Sequence, residues 1–548
     1  MKQIILTSFF LWGFLSLYSQ EKGFYPPIKE EIQLSGSFAE LRKTHFHGGA
    51  DIRTNAEVGR KIYAAADGYI SKISISLGGY GKCIYITHPN GYTTIYGHLM
   101  EFNPKIERYV KKHQYKEESY TTELYPRKRK FRLKAGDFIA LSGNTGHSGG
   151  PHLHFEIRDN KQTTQYNPVL FGYTYEDTIP PVFEEIAVYN HNQQQKAEHF
   201  DIKGCKETYN LEQSDTISVP QHLSFGICAY DQPNKNPNHN GIYSYELLLD
   251  GQKFWSFTVD SIAIKDTLMY YNVYDFPYQE LTGRTLLKTY QGVNGKASMA
   301  LPSDNSGLLQ FNDTNYHTVK MILTDHLHNS SSLSFVIKPE KDTTISGNLK
   351  PLPMTDTFHI ERKFAEIYFP ANSFYDTSYM NIEKIDTNDM FPLININAGN
   401  YPTKYPFTVR LTIPKDLSQD LRSNLYVIRK APREKEYVFN GKVEGNQFVF
   451  QTQFFGYYTL ALDTTPPHVY NHKLDSLGNI EINIRDEESG IKKYRCQLNG
   501  KWILMEYEPK ENVLIYKKDK RYKKHRRNLL QIEVWDNVGH KTYYETSI

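Results

Sequence analysis

The most regular feature of the chain is a series of short runs, between about residues 30 and 170, in which apolar and polar residues alternate. Glycine-containing turns separate these runs. Alternation with a period of two places apolar side chains on one face of a strand, so it predicts half-buried β-strands. The turn at 88–94, "HPNGYTT", has Asn-Gly between two such runs, which is a strong hairpin signal. The pattern predicts an antiparallel β domain.

A polar segment, 103–134, interrupts the alternation. It contains eleven Lys or Arg residues and four Glu residues, a net charge of +7. One interpretation is a solvated loop with a short helix. The other is a basic rim that attracts a polyanionic substrate. The pattern does not distinguish a substrate-guiding insertion from an inhibitory one.

Two later stretches repeat each other. Each begins with a Pro-Pro segment, continues through a similar β-run and closes on a strand with a polar turn; the paired segments are "DTIPP" (177–181) and "DTTPP" (463–467), "NGIYSYELLLDG" (240–251) and "SGIKKYRCQLNG" (489–500), and "MILTDHLHN" (321–329) and "IEVWDNVGH" (532–540). Asp231 and Asp486 occupy corresponding places before the second pair. This spacing predicts two copies of one β-sandwich, 177–340 and 463–548. The segment 341–462 has its own strands and predicts a third, different sandwich.

Composition agrees with a mainly β, multidomain protein. The chain has 548 residues, 42 of them Tyr, with a mean hydropathy of −0.59. A net charge of +3 gives no electrostatic argument for nucleic-acid binding. Four cysteines are too few for a disulfide framework and none has CxxC spacing, although a Cys205–Cys228 bridge stays open.

The first 20 residues, "MKQIILTSFFLWGFLSLYSQ", combine a lysine, an uncharged apolar run and a small polar end. This order is typical of a secretory signal peptide, here 1–19, and predicts export to the periplasm, cell envelope or medium. No other segment approaches 18 consecutive apolar residues, so we expect no transmembrane helix after cleavage.

The candidate catalytic and metal-binding residues lie in four histidine-containing stretches of the first domain: "HFHGGAD" (45–51), "YGHL" (96–99), "SGNTGHSGG" (142–150) and "PHLH" (151–154). His47 and Asp51 are separated by small residues that allow a tight turn. His152 and His154 are two apart, so in a strand they share a face. Two histidines and one aspartate form a tetrahedral zinc set whose fourth position stays open, as in catalytic zinc sites. HExxH is absent, so a helix-borne site with a Glu base does not apply.

Taken in order, "HGGAD", "GRKIYAAADGYI", "GGYGKCIYITHPNGYTTIYGHL" and "LKAGDFIALSGNTGHSGGPHLHFEI" resemble the lysostaphin/LytM-type zinc endopeptidases. The resemblance covers roughly 40–160 and implies a compact antiparallel β fold, a zinc ion and hydrolysis of peptidoglycan. It implies that His47, Asp51 and His154 are metal ligands. It also implies that His98 and His152 are the catalytic pair, with their division of roles left open.

The expected architecture is therefore a LytM-type peptidase domain, 20–170, followed by about three Ig-like β-sandwiches at 177–340, 341–462 and 463–548. Departures from the family pattern are the long 103–134 insertion and His147 in a loop that usually holds a small polar residue. We expect His45, His88 and His147 to be surface, packing or turn residues. Tyr96 is either an oxyanion donor or a packing residue, and the basic run 516–527 is a solvated hairpin loop or contacts envelope phosphates.

Three functions remain open. The first is an exported zinc metalloendopeptidase that cuts the stem or cross-link peptides of peptidoglycan, using zinc-activated water and the histidine pair. The second is a non-catalytic wall-binding scaffold. The third is a zinc endopeptidase that acts on proteins. The sandwich domains are candidates for binding a protein partner.

Overall fold

The computed structural model describes residues 24–42, 45–173, 175–193, 196–234, 236–292, 307–341, 352, 355–387, 389–397, 401–519 and 528–548. The expected signal peptide, 1–19, lies outside the described residues, as does most of the basic run 516–527. No helix in the described ranges has both the length and the apolar character needed to cross a membrane.

The head, residues 24–173, is built on one antiparallel sheet with the order β1-β2-β10-β6-β5-β4-β7. The bounds of its elements are β1 Leu34–Gly36, β2 Ala50–Arg53, β3 Lys61–Tyr63, β4 Gly68–Ile75, β5 Lys82–Thr87, β6 Tyr92–Phe102, α1 Pro104–Glu117, β7 Thr122–Leu124, β8 Arg132–Leu133, β9 Phe138–Ser142, β10 His152–Asp159 and β11 Thr164–Tyr166. The Asn-Gly turn joins β5 to β6 as predicted, with Thr87 opposite Thr93.

The 103–134 segment is more ordered than a solvated loop. Asn103 caps α1 by accepting hydrogen bonds from two backbone N–H groups of the first turn, and Ile106 and Val110 are buried. Their i, i+4 spacing gives the polar helix one apolar face, which packs on the core of the head. β7 then pairs with β4 at the edge of the sheet. The expected helix is therefore present, but it packs on the head and is followed by an edge strand, so this part of the segment is not a solvated loop.

The first repeat, residues 177–340, forms an 11-stranded assembly. Its elements are β12 Val182–Asn190, β13 Lys196–Cys205, β14 Thr208–Leu211, β15 Thr216–Pro220, β16 His222–Tyr230, β17 Ser244–Leu249, β18 Gln252–Thr258, β19 Ser261–Ala263, α2 Tyr270–Val273, α3 Phe276–Thr282, β20 Leu287–Lys288, β21 Leu309–Gln310, β22 His317–Thr324 and β23 Ser330–Glu340. β14 and β15 pair with β23 in parallel, unlike the other pairs. β19 pairs with β11, so this repeat adds a strand to the sheet of the head.

The middle unit consists of two five-stranded sheets. Its elements are β24 Phe358–Arg362, β25 Ala365–Phe369, β26 Asn381–Ile385, β27 Leu393–Asn397, β28 Phe407–Thr412, α4 Gln419–Arg422, β29 Leu425–Ala431, β30 Lys435–Phe439, β31 Lys442–Glu444, β32 Gln447–Thr452 and β33 Gly456–Leu462. The sheets enclose a core of their own.

The last repeat, residues 463–548, consists of two four-stranded sheets. Its elements are β34 His468–Leu474, β35 Ile480–Arg485, β36 Ile491–Leu498, β37 Lys501–Trp502, β38 Glu506–Glu508, β39 Val513–Tyr516, β40 Leu529–Asp536 and β41 Lys541–Ser547. This unit packs back on the head: Leu504 joins the hydrophobic core of the head, and the buried Lys82 forms an ion pair with Glu506 at 2.8 Å.

The mainly β, antiparallel fold predicted from the sequence is confirmed. The described cysteines are all free thiols, with Cys228 buried and Cys205 exposed, so the structure contains no Cys205–Cys228 bridge.

Candidate metal centre

The central strand of the candidate site is β10, which lies between β2 and β6. Its register places His154 directly opposite Asp51 on one side and Gly97 on the other. A Cβ atom at Gly97 would lie 3.3 Å from Cβ of His154, so the glycine leaves the imidazole its space. Gly49 approaches β10 still more closely, since a Cβ there would lie 2.3 Å from the Phe155 carbonyl oxygen. The small residues between His47 and Asp51 therefore allow the chain to lie against β10.

Three side chains converge at this point. His47 Nε2 lies 3.0 Å from Asp51 Oδ1 and 3.1 Å from His154 Nδ1, and His154 Nδ1 lies 2.8 Å from Asp51 Oδ1. All three residues are buried. Ligands bound tetrahedrally at about 2.05 Å lie about 3.3 Å apart, close to these separations. The structure brings together the three residues that the resemblance implies as ligands.

The outer atoms of these three side chains are each fixed by a hydrogen bond. His47 Nδ1 lies 2.6 Å from the Ser37 carbonyl oxygen, and Arg42 donates to Asp51 Oδ2 at 2.5 Å. His154 Nε2 lies 2.8 Å from Glu156 Oε1. These partners place hydrogens on the outer ring nitrogens and leave His47 Nε2, Asp51 Oδ1 and His154 Nδ1 directed at a common point. Hydrogen-bonded outer atoms of this kind orient metal ligands in proteins.

Burial and neighbouring charges set the protonation of the cluster. Burial lowers the pKa of His47 to about 4. Burial opposes the charge on His154, but hydrogen bonds to Asp51 and Glu156 outweigh it and raise its pKa to about 9. Burial likewise opposes the charge on Asp51, yet His47, His152 and His154 hold its pKa well below the usual range. In the metal-free protein at pH 7, His154 is therefore protonated beside an ionised Asp51, and His47 is neutral.

Two further histidines face the cluster. The rings of His98 and His152 contact edge to face, with centroids 4.7 Å apart, and the His98 and His154 centroids are 5.7 Å apart. His98 Nδ1 lies 2.8 Å from the Thr145 carbonyl oxygen, and His152 Nδ1 lies 2.8 Å from that of Gly150. These carbonyls accept hydrogen bonds from the Nδ1 atoms and leave both Nε2 atoms as acceptors.

His98 has an unusual backbone. Its φ is 57°, in the left-handed region that residues with a side chain rarely adopt. β6 shifts its register against β5 between Tyr96 and Leu99, an interval that contains His98, and against β9 just after it, between Leu99 and Glu101. Such irregularities change the direction of a side chain, which then no longer follows the up-and-down alternation of a regular strand. Burial, followed by repulsion from His154 and His152, lowers the pKa of His98 to about 3, so its imidazole is neutral at pH 7.

The Nε2 atom of His152 is buried and makes no hydrogen bond to a described residue, although it lies 3.3 Å from Asp51 Oδ1. An unpaired buried nitrogen is costly unless a group outside the chain occupies its lone pair. This atom and the His/Asp/His donor set both fit a site for a zinc ion with one open position.

Sequence reasoning missed two residues that support the cluster. Glu156 is fully buried, two residues after His154 on the same strand face, and accepts hydrogen bonds from Tyr80, Arg158 and Gln165 as well as from His154. Its period-two position in "HLHFEIR" was the available signal.

Arg42 had no such signal. It lies in the turn that precedes His47, where the Ala39 N–H donates to the His47 carbonyl oxygen at 2.8 Å. Only the fold brings its guanidinium to Asp51.

The remaining residues singled out in the sequence lie away from the cluster or in supporting positions. Tyr96 is fully buried, packs on Phe155 and donates no hydrogen bond toward the site, since its hydroxyl meets Thr94 and the Ala65 N–H. His88 is buried in the hairpin turn, with one ring nitrogen 2.8 Å from the Asp67 carbonyl oxygen. His45 and His147 are exposed. The packing interpretation of Tyr96 therefore fits the structure.

Residues 45–116 and 119–168 match the family model described as peptidase family M23, and residues 350–463 match a Zu5-like domain. Relatives include an uncharacterized metalloprotease of Haemophilus influenzae, 32% identical over 140 residues, and the DD-carboxypeptidase/endopeptidase Mpg of Neisseria meningitidis, 33% identical over 129 residues. Each alignment covers 24% of this chain, and 24% and 23% of the respective relative.

The peptidoglycan DD-endopeptidase ShyC of Vibrio cholerae is 37% identical over 114 residues, which are 21% of this chain and 20% of that protein. The chain thus spans at most about a quarter of the length of these relatives. The solved catalytic domain of lysostaphin from Staphylococcus simulans aligns at 23% identity and a TM-score of 0.19, over 25% of this chain and 90% of that one. The chain therefore contains a domain of peptidase family M23, and this domain includes all the histidines and the aspartate that converge at the candidate metal centre.

Proposed function

We propose that this chain is an exported zinc-dependent metalloendopeptidase that hydrolyses the peptide cross-links of bacterial peptidoglycan. The observation that carries the proposal is the convergence of His47 Nε2, Asp51 Oδ1 and His154 Nδ1 within 2.8–3.1 Å of one another, with two further imidazoles beside them. The naming of relatives as peptidoglycan DD-endopeptidases supports the substrate class.

In this proposal His47, Asp51 and His154 hold one zinc ion. Zinc bound there supplies Lewis-acid chemistry, because it acidifies a water molecule and polarises the scissile carbonyl. Glu156 and Arg42 act as positioning residues, since they fix the outer atoms of His154 and Asp51. Glu156 also keeps the hydrogen of His154 on Nε2, which leaves Nδ1 free to bind.

His98 and His152 move the protons. Each presents an Nε2 lone pair, because each Nδ1 is held by a backbone carbonyl. One Nε2 accepts a proton from the attacking water, and that proton later goes to the nitrogen of the leaving amine. The protonated ring also stabilises negative charge on the carbonyl oxygen. We assign these roles to the pair and not to either histidine alone.

The wider organisation is part of the proposal. The head is the peptidase domain (20–170), and three β-sandwich modules follow at 177–340, 341–462 and 463–548. Export through the segment 1–19 would place the enzyme in the periplasm, the envelope or the medium, where peptidoglycan is found. We propose that the sandwich modules position the head or bind a protein partner.

The test is mass spectrometry of the fragments that the purified protein releases from defined sacculi. We expect peptides with newly freed amines, and we expect 1,10-phenanthroline to prevent their release. His154→Ala should lose both bound zinc and activity. His113→Ala, a change on α1 away from the cluster, is the matched control and should keep both.

Full activity in zinc-free protein would overturn the metal assignment. Wild-type protein that binds sacculi, retains zinc and releases nothing would instead favour the wall-binding scaffold. Cleavage of glycine-rich proteins without cleavage of sacculi would show that the substrates are proteins, while the proposed zinc-dependent hydrolysis would still hold.

A further inference from the structure

A second cluster of potential ligands lies at the junction between the head and the first repeat. Asp177 lies in the segment that connects them, Asp231 directly follows β16, and Asp325 directly follows β22. All three are buried, and one carboxylate oxygen from each lies within 4.8 Å of the others. We call these residues the three-aspartate cluster.

Asp231 has no cationic partner among the described residues. It is fully buried, and neither of its carboxylate oxygens makes a hydrogen bond to a described residue. Oδ2 of Asp177, a residue that is 8% exposed, is also without a partner. In the described part of the chain, no lysine or arginine forms an ion pair with any of the three. A buried, unpaired carboxylate is strongly destabilising unless a cation compensates it.

The other groups at this site are arranged around the cluster. Asp325 is oriented by the N–H groups of Leu327 and Asn329 and by the Asn329 amide, so its position is fixed. Asn240 forms an isolated antiparallel bridge directly opposite Asp231. Its buried side-chain amide makes no hydrogen bond in the described structure and can provide a further oxygen.

The donor chemistry selects the ion. The cluster offers only oxygen atoms, which are preferred by hard cations such as Ca²⁺, whereas zinc prefers nitrogen or sulfur donors. Oxygen atoms bound to one Ca²⁺ at about 2.3–2.6 Å lie up to about 5 Å apart, which accommodates the spread of the cluster. We propose that Asp177, Asp231 and Asp325 bind one structural Ca²⁺ ion between the head and the first repeat.

Electrostatics within the cluster agree with this geometry. Burial, followed by repulsion from Asp177 and Asp325, raises the pKa of Asp231 to about 8. Without a positive partner, Asp231 therefore binds a proton at neutral pH in place of carrying its charge. A divalent cation would displace that proton and compensate the charge of the carboxylates.

The last repeat contains the corresponding positions but differs in one respect. Asp463, Asp486 and Asp536 occupy the places of Asp177, Asp231 and Asp325, and Asp463 and Asp536 converge with His540. His540 Nδ1 lies 2.9 Å from Asp536 Oδ2 and 3.7 Å from Asp463 Oδ1. This imidazole can supply positive charge from within the chain.

Asp486 also accepts backbone hydrogen bonds, for example from the Gly490 N–H at 2.6 Å. The carboxylates of this cluster are therefore better satisfied than those of the three-aspartate cluster. We assign Ca²⁺ to the first repeat only.

The location gives the ion a mechanical role. Leu327, two residues after Asp325, packs against the core of the head, and Asn329 donates to the Asp177 carbonyl oxygen at 3.3 Å. One ion at the cluster would join the connecting segment to the ends of two strands of the first repeat. It would thereby fix the orientation of the head on that repeat.

The experiment uses the full chain, stripped of ions with EDTA and given back one equivalent of zinc. Equilibrium dialysis against ⁴⁵Ca²⁺ should then show one bound ion per chain. Saturating Ca²⁺ should raise the temperature of the first unfolding transition by about 5 °C or more. Asp231→Asn should bind no ion and show no shift, while Asp486→Asn, the matched change in the last repeat, should behave as the wild type.

Wild-type protein that takes up no Ca²⁺ would overturn the proposal, whatever the variants do. The proposal also fails if Asp231→Asn binds Ca²⁺ as the wild type does, or if Asp486→Asn is the variant that loses the ion. The site does not depend on the proposed hydrolase activity. The same measurements in the His154→Ala background should give the same Ca²⁺ stoichiometry, which separates failure of one proposal from failure of the other.

Discussion

The candidate zinc centre and the three-aspartate cluster are both buried groups of potential ligands, but they differ in how far the chain satisfies them. In the zinc centre each ligand side chain has a fixed outer partner: Ser37 for His47, Arg42 for Asp51 and Glu156 for His154. In the three-aspartate cluster no described residue forms a hydrogen bond with the carboxylate of Asp231. Hydrogen bonds therefore orient the ligands of the zinc centre without an ion, whereas the carboxylate of Asp231 is buried without a described partner.

The difference fits the roles proposed for the two sites, a catalytic metal in the first and a structural metal in the second. A site whose ligands are oriented in advance keeps its geometry during turnover, as a catalytic metal requires. A cluster of carboxylates whose burial is unfavourable without an ion is stabilised when the ion binds to the folded protein, as at a structural metal site. Donor type separates the ions, since imidazole suits zinc and an all-oxygen set suits Ca²⁺.

The largest effect should come from returning ions one at a time to EDTA-treated protein. We expect Zn²⁺ alone to restore hydrolysis of sacculi from background to the wild-type rate without raising the first unfolding temperature. We expect Ca²⁺ alone to raise that temperature without restoring hydrolysis. Parallel assays of released fragments and thermal unfolding test this separation. A single ion that restores both would show that the two sites are not distinct in function.

The next largest effect should follow from changing the histidine pair. His98→Ala and His152→Ala should each lower the rate of hydrolysis by about 10²- to 10⁴-fold, because general acid–base catalysis contributes that much. Zinc content should stay the same, since neither residue is among the proposed ligands. Kinetics combined with metal analysis make the test, with His113→Ala as control. Loss of zinc from either variant would move that histidine into the ligand set.

A smaller effect is expected for Glu156→Gln. The variant keeps a hydrogen-bond acceptor for His154 Nε2 but removes the buried negative charge, so zinc affinity should fall by about 10- to 100-fold. Competition with a fluorescent zinc chelator measures the change. Uptake of Ca²⁺ should not change, because the hydrogen bonds of Glu156 go to residues outside the three-aspartate cluster. Unaltered zinc affinity would mean that Glu156 serves packing alone.

The smallest effect concerns Arg42→Gln. Removing the guanidinium leaves Asp51 Oδ2 without its partner, so metal-free protein should lose about 1–2 kcal/mol of unfolding free energy. Asp231→Asn should act in the opposite direction in metal-free protein, because it replaces a carboxylate whose burial is unfavourable by a neutral amide. Denaturant unfolding in chelator compares the two. Destabilisation by both changes would contradict the proposed difference between the sites.

Much of the architecture followed from local pattern. Period-two alternation and the Asn-Gly turn predicted the sheet of the head, and the paired Pro-Pro segments precede two further β units. The histidine stretches identified every residue that converges at the candidate zinc centre. Such features are readable because strand faces and tight turns depend on residues close in sequence.

Other features depended on contacts between distant residues. A short helix in 103–134 was predicted, but its packing on the head through Ile106 and Val110 was not. The left-handed backbone of His98 lies where β6 shifts its register against β5. The ion pair between Lys82 and Glu506 exists only because the last repeat folds back on the head.

The sequence by itself determined which chemical groups were available, namely His47, Asp51 and His154 in the head and a repeated set of aspartates beyond it. Only the tertiary structure decided which of them were satisfied. Arg42 and Glu156 reach the first group, whereas no described residue pairs the carboxylate of Asp231. Burial and partnership are properties of the assembled chain, because they depend on which distant surfaces exclude water from each group.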